Sequence, residues 1–131
     1  MIGIDTNVLL RLLLRDDEPQ FQRIVAEIAA GAWAGGVIVN PIVLVEAVWV
    51  LTMKMGRPKS EAMDFVENLL ATDGLMVQHE SAVVRALSNW QSAKCGFADC
   101  LIAELNVEAG ARTTRTFDKE ALKLPDFSPV P

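Results

Sequence analysis

Histidine occurs once in these 131 residues, cysteine twice, and basic residues only twelve times against seventeen acidic ones. Cys95 and Cys100 stand five apart, with no Cys-x-x-Cys spacing and no second pair to complete a zinc site, so reduced, packed thiols are expected. The lone histidine, His79, follows a short apolar run and is expected to pack or lie at the surface, not to act as a base. A net charge of −5 argues against sequence-indifferent clamping of a phosphate backbone, which draws its affinity from many Lys and Arg. Nucleic-acid contact is not excluded, because carboxylates filled by divalent cations no longer present their bare charge. Such contact must be local.

No basic segment followed by an apolar region and a small-residue cleavage site opens the chain, so a cytoplasmic location is expected. One stretch resembles a membrane span, Val37 to Met53, but Asn40, Pro41, Glu46 and Thr52 break it. It is also shorter than the roughly 20 apolar residues a spanning helix needs. A buried core helix, and no membrane association, is expected there. No internal repeat, linker or low-complexity stretch divides the chain, which predicts a single domain over residues 1–131.

What is present is apolar: 51% of the residues are hydrophobic and 22% charged. This length supports a core without disulfides, and the apolar surplus predicts a sticky face for a second copy or a partner. Short apolar runs at Ile2–Ile4, Val37–Val39 and Leu75–Val77 read as buried strands, and a fourth is expected at about Ala111–Thr114. Between them lie helical spacings, Phe21, Ile24, Val25, Ile28 and Met63, Val66, Leu69, Leu70. This alternation predicts an α/β fold with a parallel sheet covered on both faces, where ligands gather at the carboxyl ends of the strands. The helix from Ile42 to Met53 is the best marked, with Asn40 to cap it, Pro41 at its first position and Gly56 to close it. A further helix is expected from Phe97 to Ala109, with Ala98, Leu101, Ile102 and Leu105 inward. A short helix through Leu122 and a Pro-rich tail able to carry an edge strand follow.

Asp5, Thr6 and Asn7 end the first strand, where a parallel sheet opens to ligands. Taken singly, Asp5 and Asp118 suit helix caps, and Asp99 suits a helix N-terminus. Glu46 weighs more: read as a carboxylate inside an apolar, buried helix, it needs a cation, a proton or a salt bridge. If the sheet is wound as expected, the end of strand one, the helix after strand two and the segment after strand four can converge on one cleft, where several carboxylates would meet. Crowded carboxylates repel unless a divalent cation lies between them. Magnesium suits such a set, since it takes oxygen ligands and keeps several waters. Metal-assisted hydrolysis of a phosphodiester is the chemistry implied.

At these residues the sequence resembles the PIN-domain family. The match rests on Asp5-Thr6-Asn7-Val8-Leu9-Leu10-Arg11, on Glu46 in its apolar helix, on Phe97-Ala98-Asp99-Cys100-Leu101-Ile102-Ala103, and on Thr116-Phe117-Asp118-Lys119. The chain departs from a common family form at Phe117, where Asn often stands, and at Glu120, where a further Asp can appear. The resemblance implies a three-layer α/β/α fold with a central sheet of four or five parallel strands, and an endoribonuclease dependent on Mg2+ or Mn2+. It implies Asp5, Glu46, Asp99 and Asp118 as the acidic, metal-holding set, with Thr6 and Thr116 shaping it through hydrogen bonds and Asn7 supporting it. Relatives of this size are VapC toxins, which implies homodimers, transfer or ribosomal RNA as substrate, and a VapB-type antitoxin as partner.

Trp33, Trp49 and Trp90 are expected to pack or to make dimer contacts, and Arg11, Arg15, Lys94, Arg112, Arg115 and Lys119 flank the acidic motifs without any one being assigned to phosphate. Two other function classes compete. An aspartyl-phosphate phosphatase or receiver-like protein is disfavoured, because Asn7 stands where the former expects a second acid and Val77-Gln78-His79 stands where the latter expects an aspartate. A non-catalytic binding module, with its acids merely capping helices, predicts no saturable metal binding.

Overall fold

The computed structural model describes residues 1–131. Five strands and six helices alternate along the chain: β1 (Ile2–Gly3), α1 (Thr6–Leu14), α2 (Glu18–Ala29), β2 (Val37–Val39), α3 (Pro41–Trp49), α4 (Lys59–Leu70), β3 (Leu75–Val77), α5 (Glu80–Ser92), α6 (Phe97–Glu108), β4 (Thr114–Thr116) and β5 (Phe127–Pro129). A π turn, Val50–Lys54, extends α3, and a 3-10 turn, Ala121–Lys123, precedes β5. Every strand pairing is parallel, as expected, and hydrogen bonding groups the strands as β1-β2-β3 and β4-β5. The chain forms two compact units, Met1–Gln78 and His79–Pro131.

In the first unit, β1 pairs with β2 (Ile2 with Val37) and β2 with β3 (Val37 with Leu75). Polar caps stop the first two strands and start helices at the same end of this sheet. Asp5 caps α1 by accepting from the Val8 N–H at 2.9 Å, and Asn40 caps α3 by accepting from the Val43 N–H at 3.0 Å. Pro41 takes the first position of α3, where its missing N–H costs nothing. Beyond the π turn, Gly56 adopts φ +65°, a left-handed conformation that side chains other than Gly seldom accept.

The helices of this unit bury unequal amounts. Val43, Leu44, Ala47, Val48 and Leu51 are buried along one face of α3 and its extension. By contrast α2 buries no residue fully, although Asp17 caps it and its apolar stripe has helical spacing. The helix expected from the spacing of Phe21, Ile24, Val25 and Ile28 is there, but Phe21 and Ile24 are only half-buried and Val25 and Ile28 are exposed. Periodicity establishes which side of a helix is apolar, not that anything covers it.

In the second unit α5 packs on α6. Trp90 and Phe97 meet with ring centroids 5.3 Å apart, and Ala82, Val83, Ala86 and Leu87 on α5 and Cys100, Leu101 and Ala103 on α6 are buried. The inward face of α6 is rotated from the expected one. Ile102 is exposed, Ala98 and Leu105 are half-buried, and Glu104 takes an inward place. The fourth strand lies at Thr114–Thr116, later than expected, because the Thr114 N–H pairs with the Asp126 carbonyl at 2.9 Å and so sets the register with β5.

Candidate active site

Asp5, Thr6, Asn7 and Glu46 line one pocket of about 470 Å³ in the first unit, together with Val45, Trp49, Val50 and Lys54. Asp5 stands where β1 ends and Glu46 lies in the second turn of α3, so the caps that begin these helices also aim them at a common opening. A second pocket, of about 820 Å³, adjoins Asp5 and Asn7 from the side of α2 and includes Arg11 and Trp33. Arg11 is engaged there, its Nε donating to Gln20 at 2.7 Å and its Nη1 to Asp16 at 3.2 Å. The indole N–H of Trp33 donates to Glu27 at 2.6 Å.

Glu46 is exposed, which corrects the expectation of a carboxylate held inside a buried helix. Its helix is apolar on both sides, and only one side is covered. At 3.6 residues per turn, Ile42, Glu46, Trp49 and Met53 share the opposite face, with Ile42 and Met53 each 69% exposed and Trp49 52% exposed. Desolvation therefore does not explain Glu46. What distinguishes it is that neither carboxylate oxygen has a hydrogen bond or ion pair within the protein, although Lys54 lines the same pocket.

The second unit brings together the other two acids. Asp99 is half-buried in the first turn of α6, its Oδ2 accepting from the Gly96 N–H at 3.3 Å. Asp118 Oδ1 accepts from the backbone N–H groups of Glu120 at 2.8 Å and Ala121 at 3.3 Å, which starts the 3-10 turn. The Thr116 hydroxyl accepts from the Asp118 N–H at 3.0 Å and fixes that residue's backbone. Both acids act on the buried Cys95 thiol: burial pushes it above its ordinary value, the charges of Asp99 and Asp118 push the same way, and a hydrogen bond with Cys100 opposes them. Cys95 and Cys100 flank the first turn of α6 at the positions of a hydrophobic staple, sulfurs 4.0 Å apart, as packed thiols.

Each of the three aspartates thus accepts backbone N–H groups at the start of a helix or turn, yet this uses one oxygen of each and leaves the other without a protein partner. Oxygen donors of this kind suit a hard divalent cation. Within neither unit are three His, Cys, Asp or Glu side chains gathered into a ready-made cage. A pair from each unit is compatible with magnesium, which accepts one or two carboxylates directly and otherwise binds through its waters.

Glu104, which no sequence motif marks, is 4% exposed. Its Oε2 accepts from Arg85 Nε at 2.7 Å and its Oε1 from Asn89 Nδ2 at 3.0 Å. Nearby, the Asp126 carboxyl is held above its ordinary value by burial first, then by a hydrogen bond to Glu104 and repulsion from its charge, with Arg85 opposing. The signal was available: Glu104 sits among Ala103, Leu105 and Leu101, the same pattern that drew attention to Glu46.

A PIN domain model matches residues 2–126, nearly the whole chain and both units. The chain belongs to the PIN domain family. That family consists of nucleases that are typically metal-dependent, and the alternating helices and parallel strands are consistent with a PIN-like α/β/α fold. No curated protein matches the chain. No helix is long and apolar enough to cross a membrane, and the Val37–Met53 stretch resolves into β2, α3 and part of the π turn.

Proposed function

We propose that this PIN-domain chain is an endoribonuclease dependent on Mg2+ or Mn2+, the toxin of a toxin-antitoxin pair of the VapC type. The observation that carries the reading is the Asp5–Glu46 pocket: two carboxylates from different elements share it, three of their four oxygens have no protein partner, and Thr6 and Asn7 line the same opening. Asp5, Glu46, Asp99 and Asp118 are the residues that would hold the metal, directly or through its waters, with residues 1–131 acting as one domain. A bound divalent ion supplies an activated water and neutralises charge on the phosphate under attack. Asp5 and Asp118 each give one oxygen to the backbone, which locks the side chain and leaves the other oxygen aimed by a rigid helix start. Thr116 steadies Asp118 in the same way, while Thr6 and Asn7 offer hydrogen bonds at the mouth of the pocket.

Transfer or ribosomal RNA is the substrate class, a VapB-type antitoxin and a second copy of the chain are the partners, and the cytoplasm is the location. The exposed apolar residues Val25 and Ile28 on α2 support the partners, since exposed apolar surface of this kind marks interfaces. Family membership favours this reading over an aspartyl-phosphate protein or a binding module.

Cleavage of a mixed cellular RNA pool with added manganese tests the proposal, comparing the parent chain with Asp5→Asn. Asn caps a helix as well as Asp does, so this variant keeps the fold and removes only the charge. Metal-dependent cutting by the parent that is lost in the variant is expected. No cutting by the parent, or equal cutting by the variant, would overturn the reading.

A further inference from the structure

Trp49 stands apart from the other two tryptophans. Trp90 is buried against Phe97, and Trp33 is half-buried with its N–H held by Glu27. Trp49 is 52% exposed, follows Glu46 by one turn on the same face of α3, and lines the pocket that holds Asp5 and Glu46. Lys54 lies over its ring, the ammonium 5.8 Å from the centroid, and has no carboxylate partner.

The π turn makes this pairing. In a regular α-helix, residues five apart point about 140° away from each other. From Val50 to Lys54 the helix widens, with the Met55 N–H donating to the Val50 carbonyl at 2.9 Å, five residues back. Thr52 donates its hydroxyl to the Val48 carbonyl at 2.8 Å within the same segment. The wider turn carries Lys54 round to the face of Trp49. Such turns concentrate at functional sites.

We propose that Trp49 and Lys54 form a subsite for one unpaired nucleotide of an RNA strand, the base stacking on the indole and a neighbouring phosphate meeting the ammonium. The choice of RNA rests on the ribonuclease reading of the adjoining carboxylates. An aromatic face beside a cation that has no carboxylate partner is the pairing by which single strands are held without regard to sequence. The pocket, at about 470 Å³, is of ligand-binding size. Bases in a duplex have both faces covered, so the subsite selects loops and single strands. This assigns the substrate's shape, and it places the nucleotide next to Asp5 and Glu46.

The test is the binding of a short, end-labelled, single-stranded RNA of mixed sequence, followed by fluorescence anisotropy. Calcium replaces the catalytic ion, and the RNA is checked for intactness afterwards. Parent, Trp49→Ala, Trp49→Phe and Lys54→Gln chains are compared, each also against a duplex of the same sequence and each sized by light scattering. Trp49→Ala is expected to weaken single-strand binding about tenfold, the worth of one stacked base, while Trp49→Phe keeps most of it and duplex binding stays weak in all. Lys54→Gln should lower the slope of log affinity against log salt by about 0.7, the share of one phosphate on a single strand. Equal single-strand affinity in parent and Trp49→Ala, or an unchanged salt slope in Lys54→Gln, would overturn the proposal. So would a parent dimer that Trp49→Ala splits without loss of RNA affinity per chain, because a second copy would then be what covers the indole. Binding is measured apart from cutting, so a parent that binds through Trp49 but never cuts would sink the nuclease reading alone, and a parent that cuts but is indifferent to Trp49 would sink only the subsite.

Discussion

Glu46 and Glu104 are both glutamates set among apolar neighbours in a helix, and they meet opposite conditions. Glu104 is buried and spends both oxygens on Arg85 and Asn89, whereas Glu46 is exposed, shares a pocket with Asp5, and has no protein partner at all. A carboxylate taken out of water must be paired, so the pairing of Glu104 is a requirement of folding. One left in water has no such need. Its company decides what it does, and the company of Glu46 is a second carboxylate, a threonine, an asparagine and an indole beside a cation. Burial marks the structural acid here, and the exposed acid is the one proposed to hold the metal.

The sharpest break between the two acids should be in stability. Glu104→Ala removes a buried acceptor from Asn89 and Arg85 and leaves a cavity, and is expected to cost about 3 kcal/mol in urea unfolding. Glu46→Gln is a surface change and should stay within about 0.5 kcal/mol of the parent in the same assay. Activity should reverse the order. Glu46→Gln is expected to lose metal-dependent RNA cutting by about a hundredfold, equivalent to about 2.7 kcal/mol at the barrier.

A smaller effect separates the two roles of a cap. Asn40→Ala, which removes the Asn40 side-chain bond to the Val43 N–H, should cost about 1 kcal/mol and lower activity only by loosening the start of α3. Asp5→Asn keeps its cap and should leave stability nearly unchanged while cutting is lost, which circular dichroism melts and gel assays check side by side.

The smallest effect belongs to pH. The Asp126 carboxyl is raised above its ordinary 3.8 by burial and by Glu104, so its proton is bound more tightly in the folded chain than in the unfolded one. That contribution is fully present below the unfolded value and is lost as pH rises through the higher folded value. Asp126→Asn, which cannot ionise, should therefore gain stability relative to the parent as pH is raised from about 4 towards neutrality, by less than about 1 kcal/mol because the site is partly screened by solvent. Unfolding midpoints across that range read the difference.

Much of this molecule was legible in its sequence because its signals are local. Asn40-Pro41 and Gly56 bracket the helix they were expected to bracket, and the apolar runs at Val37–Val39 and Leu75–Val77 are strands. Asp5, Asp99 and Asp118 stand at or beside the ends of elements and Glu46 lies within α3, as the sequence suggested. What was not legible depends on what covers a surface. Ile42, Trp49 and Met53 are as apolar as Val43, Leu44 and Ala47, so a count of apolar residues made Glu46 seem buried. The stripe on α2 is as regular as that of a buried helix and nevertheless buries no residue fully. Ile102 and Glu104 exchange the places their hydropathy suggests, because Arg85 and Asn89 across the α5–α6 contact make the inward position polar. The π turn that joins Lys54 to Trp49 left no composition mark.

Calorimetric titration with manganese of the parent, Glu46→Gln and Glu104→Gln chains, each held at a temperature where it is shown to be folded, separates the two acids. Saturable binding is expected of the parent, binding at least tenfold weaker of Glu46→Gln, and near-parental binding of Glu104→Gln. Manganese affinity that ignores Glu46, or that falls with Glu104 instead, would contradict that expectation.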